Sequence, residues 1–267
     1  MHAHAVDDAA WESPWRRRSV RDKACLSVGL VLTALLAPPF PGTVLVAIAV
    51  ILLTRAAGVP LRLLCRMMRG PLVFLGIGAV TVALSLGGQD VMPWTWGPFG
   101  ASPQTLARAG GVFGHGIAGT LALLLLATTT PMVDLVAAGR RARIPDPLLD
   151  IASLTYRLLF VLAESMAAIR EAQVSRLGYD SWRASWRSSG MLAAAVLTRA
   201  WDRARRLNDG LAGRGYEVAM LTLAPPTRRS TPFLLGGIAL VAVIAGASFG
   251  WAELAEVHGW NLLGATR

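Results

Sequence analysis

The chain has 267 residues, 54% of them hydrophobic, and a formal charge of +10 that is carried almost wholly by arginine. Its mean hydropathy of +0.50 is unusual for a soluble domain and common among polytopic membrane proteins. Cys25 and Cys65 are isolated and form no CxxC or Cys/His pattern, so the sequence indicates neither a zinc site nor a disulfide framework. The first 23 residues are polar and include Asp7, Asp8 and Glu12, so no cleavable signal peptide is predicted.

Apolar segments close to the length of a membrane span follow in chain order. We predict five spans, at about 22–38, 42–55, 71–86, 112–130 and 233–251. The first two are separated by "APPFPG", because prolines end a helix. The apolar segment 148–166 is interrupted by Arg157 and Glu164, so it either lies along the inner membrane face or forms a sixth span. The predicted fold is therefore an all-α polytopic membrane protein with a cytoplasmic helical module.

Arginines are concentrated in alternate loops, which predicts the orientation of the spans. They cluster before the first span, in the 54–70 connection and in "RRAR" after the fourth span, whereas the 87–111 connection is nearly uncharged. We therefore place the N-terminus in the cytoplasm of a multi-pass protein of the cell membrane. The expected organisation is a cytoplasmic segment 1–23, spans one to four in 24–131, a cytoplasmic module 132–230, and a last span with an external tail in 231–267.

Two stretches of the cytoplasmic module resemble each other. "AAIREAQVSRLGYD" (167–180) and "RARRLNDGLAGRGYEV" (203–218) are Ala/Arg-rich, have helical spacing and end in Arg, Gly and Tyr. Gly178 and Gly215 are predicted to end these helices in a left-handed conformation, with Arg176 and Arg214 in the last turn. Arg183 and Arg187 are placed in a linker between the two helices.

Basic amphipathic helices of this kind commonly lie on anionic lipid. The small residues Ala167, Ala168, Gly210 and Gly213 instead favour a slim helix end that enters an acidic groove of a protein partner. Apolar runs beside the arginines favour these two readings over nucleic-acid binding.

The segment "TTTPMVDLVAAGRRARIPDPLLDIASLTYRLLFVLAES" (128–165), followed by "AQVSRLGY", resembles the transmembrane coupling (T) component of energy-coupling-factor transporters. The closest subgroup is the cobalt/nickel type, CbiQ. The resemblance is strong over 128–216, while the flanking spans match only as hydrophobic segments. In that family, two cytoplasmic helices end in Ala-Arg-Gly-like sequences that dock into ATPase subunits. Here they read Ser175-Arg176-Leu177-Gly178, with a leucine inserted before the glycine, and Gly213-Arg214-Gly215.

This resemblance implies a non-catalytic subunit of an ATP-driven importer, with Ser175, Arg176, Gly178, Gly213, Arg214 and Gly215 as the ATPase-docking residues. The implied partners are two CbiO-like ABC ATPase subunits that bind the ATP, a CbiM-like substrate-binding membrane subunit, a small accessory membrane subunit as an open option, and the lipid bilayer. The implied cargo is cobalt or nickel ion. A vitamin importer and a polytopic scaffold that binds the membrane surface remain alternatives.

Other chemistry has weaker support in the sequence. No GxxxxGK[ST] phosphate-binding motif occurs. "DGLAGR" (209–214) is close to the start of the CDP-alcohol phosphotransferase motif, but no acid between Glu217 and Glu253 could complete its metal site. His2 and His4 could bind Ni²⁺ or Co²⁺, although a frayed terminus without a role is the simpler reading. His115 fits a helix–helix hydrogen bond better than a ligand, and neighbouring glycines predict close helix packing. No cofactor or metal site is predicted in this chain.

Overall fold

The computed structural model describes residues 2–86, 94–96, 99–215 and 230–257, with side chains for residues 6–84, 102–215 and 230–254. The helices in these ranges are α1 His2–Glu12, α2 Val20–Leu36, α3 Pro39–Ala56, α4 Leu61–Ala83, α5 Pro103–Thr129, α6 Met132–Arg141, α7 Asp146–Val174, α8 Trp182–Ala212 and α9 Thr231–Val257. A 3-10 turn, Pro14–Arg17, follows α1. The predicted all-helical class is confirmed.

A small antiparallel sheet lies between α4 and α5, where we predicted only a connection. Its strands are β1 Ser85–Leu86, β2 Trp94–Trp96 and β3 Phe99–Ala101, in the order β1-β3-β2. Thr95 pairs with Gly100 in the β2–β3 register. The sheet is too short to alter the helical class of the fold.

Five helices in the described ranges are long and apolar enough to cross a membrane: α3, α4, α5, α7 and α9. The number agrees with the prediction, but the set differs. The segment 148–166 belongs to one continuous 29-residue helix, α7, that is among these five. In contrast, α2 has only 17 residues and carries Arg21, Asp22 and Lys23 near its start.

Two helices begin earlier than the predicted spans that they contain. Helix α4, which contains the third predicted span, begins at Leu61 rather than near residue 71. The basic stretch that we placed in a connection is helical, and the helix continues through Pro71. Helix α5, which contains the fourth predicted span, begins at Pro103 rather than near residue 112. There, Ser102 and Thr105 form a capping box, in which Thr105 N donates to Ser102 Oγ at 3.2 Å and Ser102 N donates to Thr105 Oγ1 at 2.9 Å.

The chain folds into two compact units, residues 1–131 with 226–267, and residues 132–225. In the first unit, α5 packs against α2, α3 and α4, and α9 packs against α2 and α3. The core of this unit is apolar and includes Leu30, Val46, Val50, Ala118, Ala122 and Leu125. In the second unit, α7 packs against α6 and α8.

Glycines of α5 allow this packing. A Cβ at Gly114 would lie 2.9 Å from Thr43 Oγ1, one at Gly111 would lie 3.2 Å from Pro39 Cγ, and one at Gly116 would overlap the Leu75 side chain. The predicted close packing is therefore confirmed at these three positions. At Gly110 and Gly119 an added Cβ would meet no described atom within 4 Å.

Candidate functional site

The end of α7 is closed by a Schellman motif. Gly178 N donates to Gln173 O at 2.8 Å, and Leu177 N donates to Val174 O at 3.0 Å. The residue in the left-handed conformation is Leu177, with φ of 56°, and the prediction of Gly178 at this position is wrong. Ser175 and Arg176 lie just before it and are exposed.

Gly178 is required by space rather than by backbone conformation. A Cβ at this position would lie 2.8 Å from both Gln173 O and Ser188 Oγ. Real Cβ atoms do not approach other atoms so closely, so a larger residue would displace the α7–α8 turn, residues 175–181. The glycine thus lets α8 approach the end of α7.

The end of α8 repeats this geometry. Gly213 N donates to Asp209 O at 3.0 Å, Arg214 N to Leu211 O at 3.1 Å and Gly215 N to Ala212 O at 3.2 Å. The corresponding bonds of Ser175, Arg176 and Leu177 go to Glu171, Gln173 and Val174, at 3.0, 3.2 and 3.0 Å. Gly215 is in the left-handed conformation, with φ of 68°, as predicted.

The backbone therefore matches Ser175-Arg176-Leu177 with Gly213-Arg214-Gly215. Leu177, which the sequence presented as an insertion, occupies the position of Gly215. Gly178 falls one residue later than the sequence comparison suggested. Both arginines keep equivalent positions, each exposed and each directly before a left-handed residue.

Polar contacts, which we call the α7–α8 clamp, hold the turn that carries Arg176. Gln173 Nε2 donates to Ser188 O at 3.1 Å, Tyr179 OH donates to Gln173 Oε1 at 2.9 Å, and Ser188 Oγ donates to Gly178 O at 2.7 Å. Ser188 is buried, and Arg170 lies 5.5 Å from the Tyr179 ring centroid. These bonds fix the direction in which the end of α7 presents its basic residue.

Arg183 and Arg187 do not lie in a linker. Helix α8 begins at Trp182, with Ser181 as its N-cap accepting from Ala184 N at 3.2 Å. Both arginines therefore lie in the first turns of α8, beside the clamp. The predicted break between two short helices is replaced by one 31-residue helix.

An ion pair that the sequence did not predict joins α6 to α7. Arg140 Nη2 lies 2.7 Å from Asp150 Oδ1, and Arg140 Nε lies 3.6 Å from Asp146 Oδ1. Asp150 is buried, whereas Asp146 is exposed. Asp134 and Asp146 lie in the first turns of α6 and α7, where a carboxylate offsets the positive end of the helix dipole.

The Thr-Thr-Thr-Pro end of α5 receives a cation from α2. Pro131 prevents continuation of the helix, so the last carbonyls lack helical partners. Lys23 Nζ donates to Thr129 O at 2.8 Å, and Lys23 is only 2% exposed. The lysine thereby complements the negative end of the α5 dipole. The two residues are 106 positions apart, and no sequence signal links them.

His115 joins two helices, as predicted. Its Nδ1 lies 2.6 Å from Gly111 O, and its Nε2 lies 3.2 Å from Ala37 O at the end of α2. Among the described residues, no group of three or more His, Cys, Asp or Glu side chains could hold a metal ion. The His2 and His4 side chains lie outside the described ones.

The two helix ends with matching Arg-centred turns form the candidate site of the second unit. The model of the CbiQ family, described as cobalt transport protein, matches residues 12–222. The chain belongs to the CbiQ family. The match contains α2 to α8 completely, and it includes both Arg176 and Arg214.

Curated CbiQ relatives agree with this assignment. The cobalt transport protein CbiQ of Rhodobacter capsulatus is 40% identical over 237 residues, which are 88% of this chain and 93% of the relative. The CbiQ protein of Salmonella typhimurium is 28% identical over 79% of this chain and 96% of the relative. A protein of Methanocorpusculum labreanum named as a fused cobalt transport protein, CbiMQ, is 29% identical over 81% of this chain and 37% of its own length.

Proposed function

We propose that this CbiQ family member is the transmembrane coupling component of an energy-coupling-factor importer for cobalt or nickel ions. It passes the closure of two CbiO-like ATPase subunits to a substrate-binding membrane subunit. The observation that carries the proposal is the matching backbone geometry around Arg176 and Arg214. Two equivalent basic helix ends on one chain suit docking to two equivalent ATPase subunits.

The chemistry of these ends supports docking to acidic grooves. Each guanidinium follows a helix whose C-terminal carbonyls are negative, so positive charge is stabilised there. An exposed arginine can form two parallel hydrogen bonds with a carboxylate. Ser175 and Gly213 precede the arginines and leave room for a partner backbone. Gly178 acts through the clamp, by allowing the turn to form, and Gly215 supplies the left-handed residue after Arg214.

The remaining division of labour follows from the same proposal. ATP is bound and hydrolysed by the ATPase subunits, and this chain has a non-catalytic role. The fused CbiMQ relative carries CbiM and CbiQ in one name, which supports a CbiM-like substrate-binding partner. A small accessory membrane subunit completes the proposed complex. The alternative is that the complex imports a vitamin instead of a metal ion.

Substitution of the two arginines tests the proposal. Arg176→Ala or Arg214→Ala should weaken ATPase retention by about 2–5 kcal/mol, because truncating one member of a desolvated charge pair leaves its partner unpaired. Arg→Lys should rescue poorly, since an ammonium group lacks the bidentate geometry. Pull-down of the ATPases with the purified full-length variants measures the effect.

Arg205→Ala is the matched control, because Arg205 is exposed within α8 away from both helix ends. Arg183 and Arg187 are unsuitable as controls, because both lie beside the clamp. Equal, mild losses at Arg176, Arg205 and Arg214 would contradict docking at specific helix ends.

The exposed face of α8 favours a second candidate role at the membrane surface. Trp182, Trp186, Leu197 and Trp201 are between 66% and 79% exposed. Their spacing of four, eleven and four residues places them on one helical face. Tryptophans flanked by arginines are typical of helices that lie in the lipid interface. In this case each arginine contributes about 1 kcal/mol to binding of anionic vesicles, and Trp186→Ala lowers vesicle binding without affecting ATPase retention.

The proposed topology puts the N-terminus and both helix ends in the cytoplasm. In a variant with Cys25 and Cys65 replaced by serine, a cysteine at exposed Gln104 should react with an impermeant thiol reagent from outside, and cysteines at exposed Arg141 and Ser189 should not. Gly42 and Ser188 are unsuitable labelling sites, because a Cβ at Gly42 would lie 2.7 Å from Ala37 Cβ and Ser188 is buried in the clamp. External labelling at Ser189 would contradict the proposal.

A further inference from the structure

A groove opens between α2, α3 and α9 at one end of the first unit. Its volume is about 390 Å³, within the range of about 300–1,000 Å³ that is typical of small-molecule sites. Most of its lining is apolar, and the residues are Leu26, Leu53, Phe233, Gly236, Gly237 and Leu240. An added Cβ at Gly236 would meet no described atom within 4 Å, so the groove runs past this glycine.

Arg18 and Ser230 form the polar end of the groove. The Arg18 guanidinium carbon lies 4.2 Å from the Phe233 ring centroid and 5.5 Å from that of Trp15, and the Trp15 and Phe233 rings meet edge to face at 5.1 Å. The two rings hold the arginine over the apolar floor. Among the described residues, no carboxylate is paired with Arg18. The nearby carboxylate of Asp22 accepts from Ser230 N at 3.4 Å.

The groove therefore has a cationic end and an apolar length. From Phe233 to Leu240, α9 rises about 10 Å, which fits within one leaflet of a hydrocarbon core about 30 Å thick. The cationic end lies near the starts of α2 and α9. On the predicted topology this is the cytoplasmic end, where anionic headgroups attract basic segments.

We propose that this groove binds an anionic phospholipid, with its phosphate at Arg18 and one acyl chain along Leu26, Gly236 and Leu240. A lipid fits both ends of the groove because it joins a fixed negative charge to an apolar chain. The cation–π contacts leave the edge of the guanidinium, with its N–H donors, free to meet phosphate oxygens. The site depends on the membrane location of the chain and is independent of the role of Arg176 and Arg214.

Native mass spectrometry of the full-length protein in detergent tests the proposal, with dioleoylphosphatidylglycerol and dioleoylphosphatidylcholine as probes. The wild type should retain the anionic lipid about fivefold better than the zwitterionic lipid. This ratio corresponds to the free energy of about 1 kcal/mol that one arginine near the headgroup contributes. Arg18→Gln should remove this preference. Arg17→Gln is the control and should keep it, because Arg17 is the exposed neighbour of Arg18 and does not line the groove.

A second pair of variants tests the apolar part of the groove. Gly236→Leu should reduce retention of both lipids because its side chain fills the path of the acyl chain. Gly246→Leu is the matched control, since Gly246 is also exposed on α9 with open space around it but does not line the groove. Equal retention of the two lipids by wild type, or equal effects of Arg17→Gln and Arg18→Gln, would overturn the proposal.

Two further outcomes distinguish other occupants. Displacement of the lipid by glycerol 1-phosphate at equal concentration would show a site for free anions, and the acyl chain would then play no part. Unchanged lipid retention in Gly236→Leu, together with loss of a co-purifying membrane protein, would show a protein interface. Either result rejects the phospholipid site, and neither bears on ATPase docking, which is measured separately.

Discussion

Helices α5 and α7 are nearly equal in length, 27 and 29 residues, and both are apolar enough to cross a membrane. In the most apolar part of α5, 33% of the residues are buried, whereas none are in α7. The only buried residues of α7 are Leu149 and Asp150, near its start. Hydropathy thus identifies an apolar helix without showing what covers it. The chain itself covers one part of α5, whereas the apolar surface of α7 requires lipid or a partner.

Core truncation should show the largest difference between the two helices. Leu125 of α5 is 2% exposed, and Leu159 of α7 is 46% exposed. Leu125→Ala should destabilise the protein by about 2–5 kcal/mol through lost burial and the remaining cavity. Leu159→Ala should cost less than about 1 kcal/mol. Thermal unfolding of both variants in the same detergent measures the difference, and equal losses would show that α7 is packed as closely as α5.

The ion pairs at the start of α7 should contribute more to stability than the apolar middle of this helix. Asp150→Asn removes the charge paired with Arg140 and should cost about 1–3 kcal/mol, because the partly buried guanidinium loses the carboxylate that lies 2.7 Å from its Nη2. Asp146→Asn is the control, since its 3.6 Å contact is half exposed and should contribute less than about 1 kcal/mol. Limited proteolysis within residues 142–145 measures how far the connection between α6 and α7 is loosened in each variant. A larger effect of Asp146→Asn would reverse the assignment.

The smallest expected effects concern the α7–α8 turn. Gly178→Ala should cost about 1–2 kcal/mol, because the new Cβ would crowd Gln173 O and Ser188 Oγ. Leu177→Gly should change stability by less than about 1 kcal/mol, since relief of the left-handed backbone is offset by greater freedom of the unfolded chain. Hydrogen exchange of the backbone amide of residue 178, which is alanine in one variant and glycine in the other, measures both changes. Greater damage from Leu177→Gly would contradict the observed register.

The sequence predicted the apolar helices because long runs of hydrophobic residues are a strong signal. It failed at the start of α4 because Arg62, Arg66 and Arg69 resemble a loop in charge, although their spacing also fits one helical face. It failed at the start of α8 for a similar reason, because Arg183 and Arg187 are mixed with serine and tryptophan. Charge alone does not distinguish a basic helix from a basic connection.

The docking residues were identified by resemblance, and their role in docking stays a prediction. What the sequence could not provide was the one-residue shift between Leu177 and Gly178. A left-handed leucine is unexpected beside a glycine that could adopt the same conformation at lower cost. The choice is made by α8, whose Ser188 leaves no room for a side chain at residue 178. Long-range contacts of this kind, like that of Lys23 with Thr129, have no local signal.

Helix α7 runs without a break from Asp146 to Val174, which at 1.5 Å per residue is a rod about 42 Å long. Mechanically, such a rod is a lever. If it turns about its start, where Arg140 and Asp150 attach it to α6, a tilt of about 10° moves the opposite end by about 7 Å. That displacement exceeds one helical turn, so a modest rotation at the α6 attachment becomes a large displacement of Arg176.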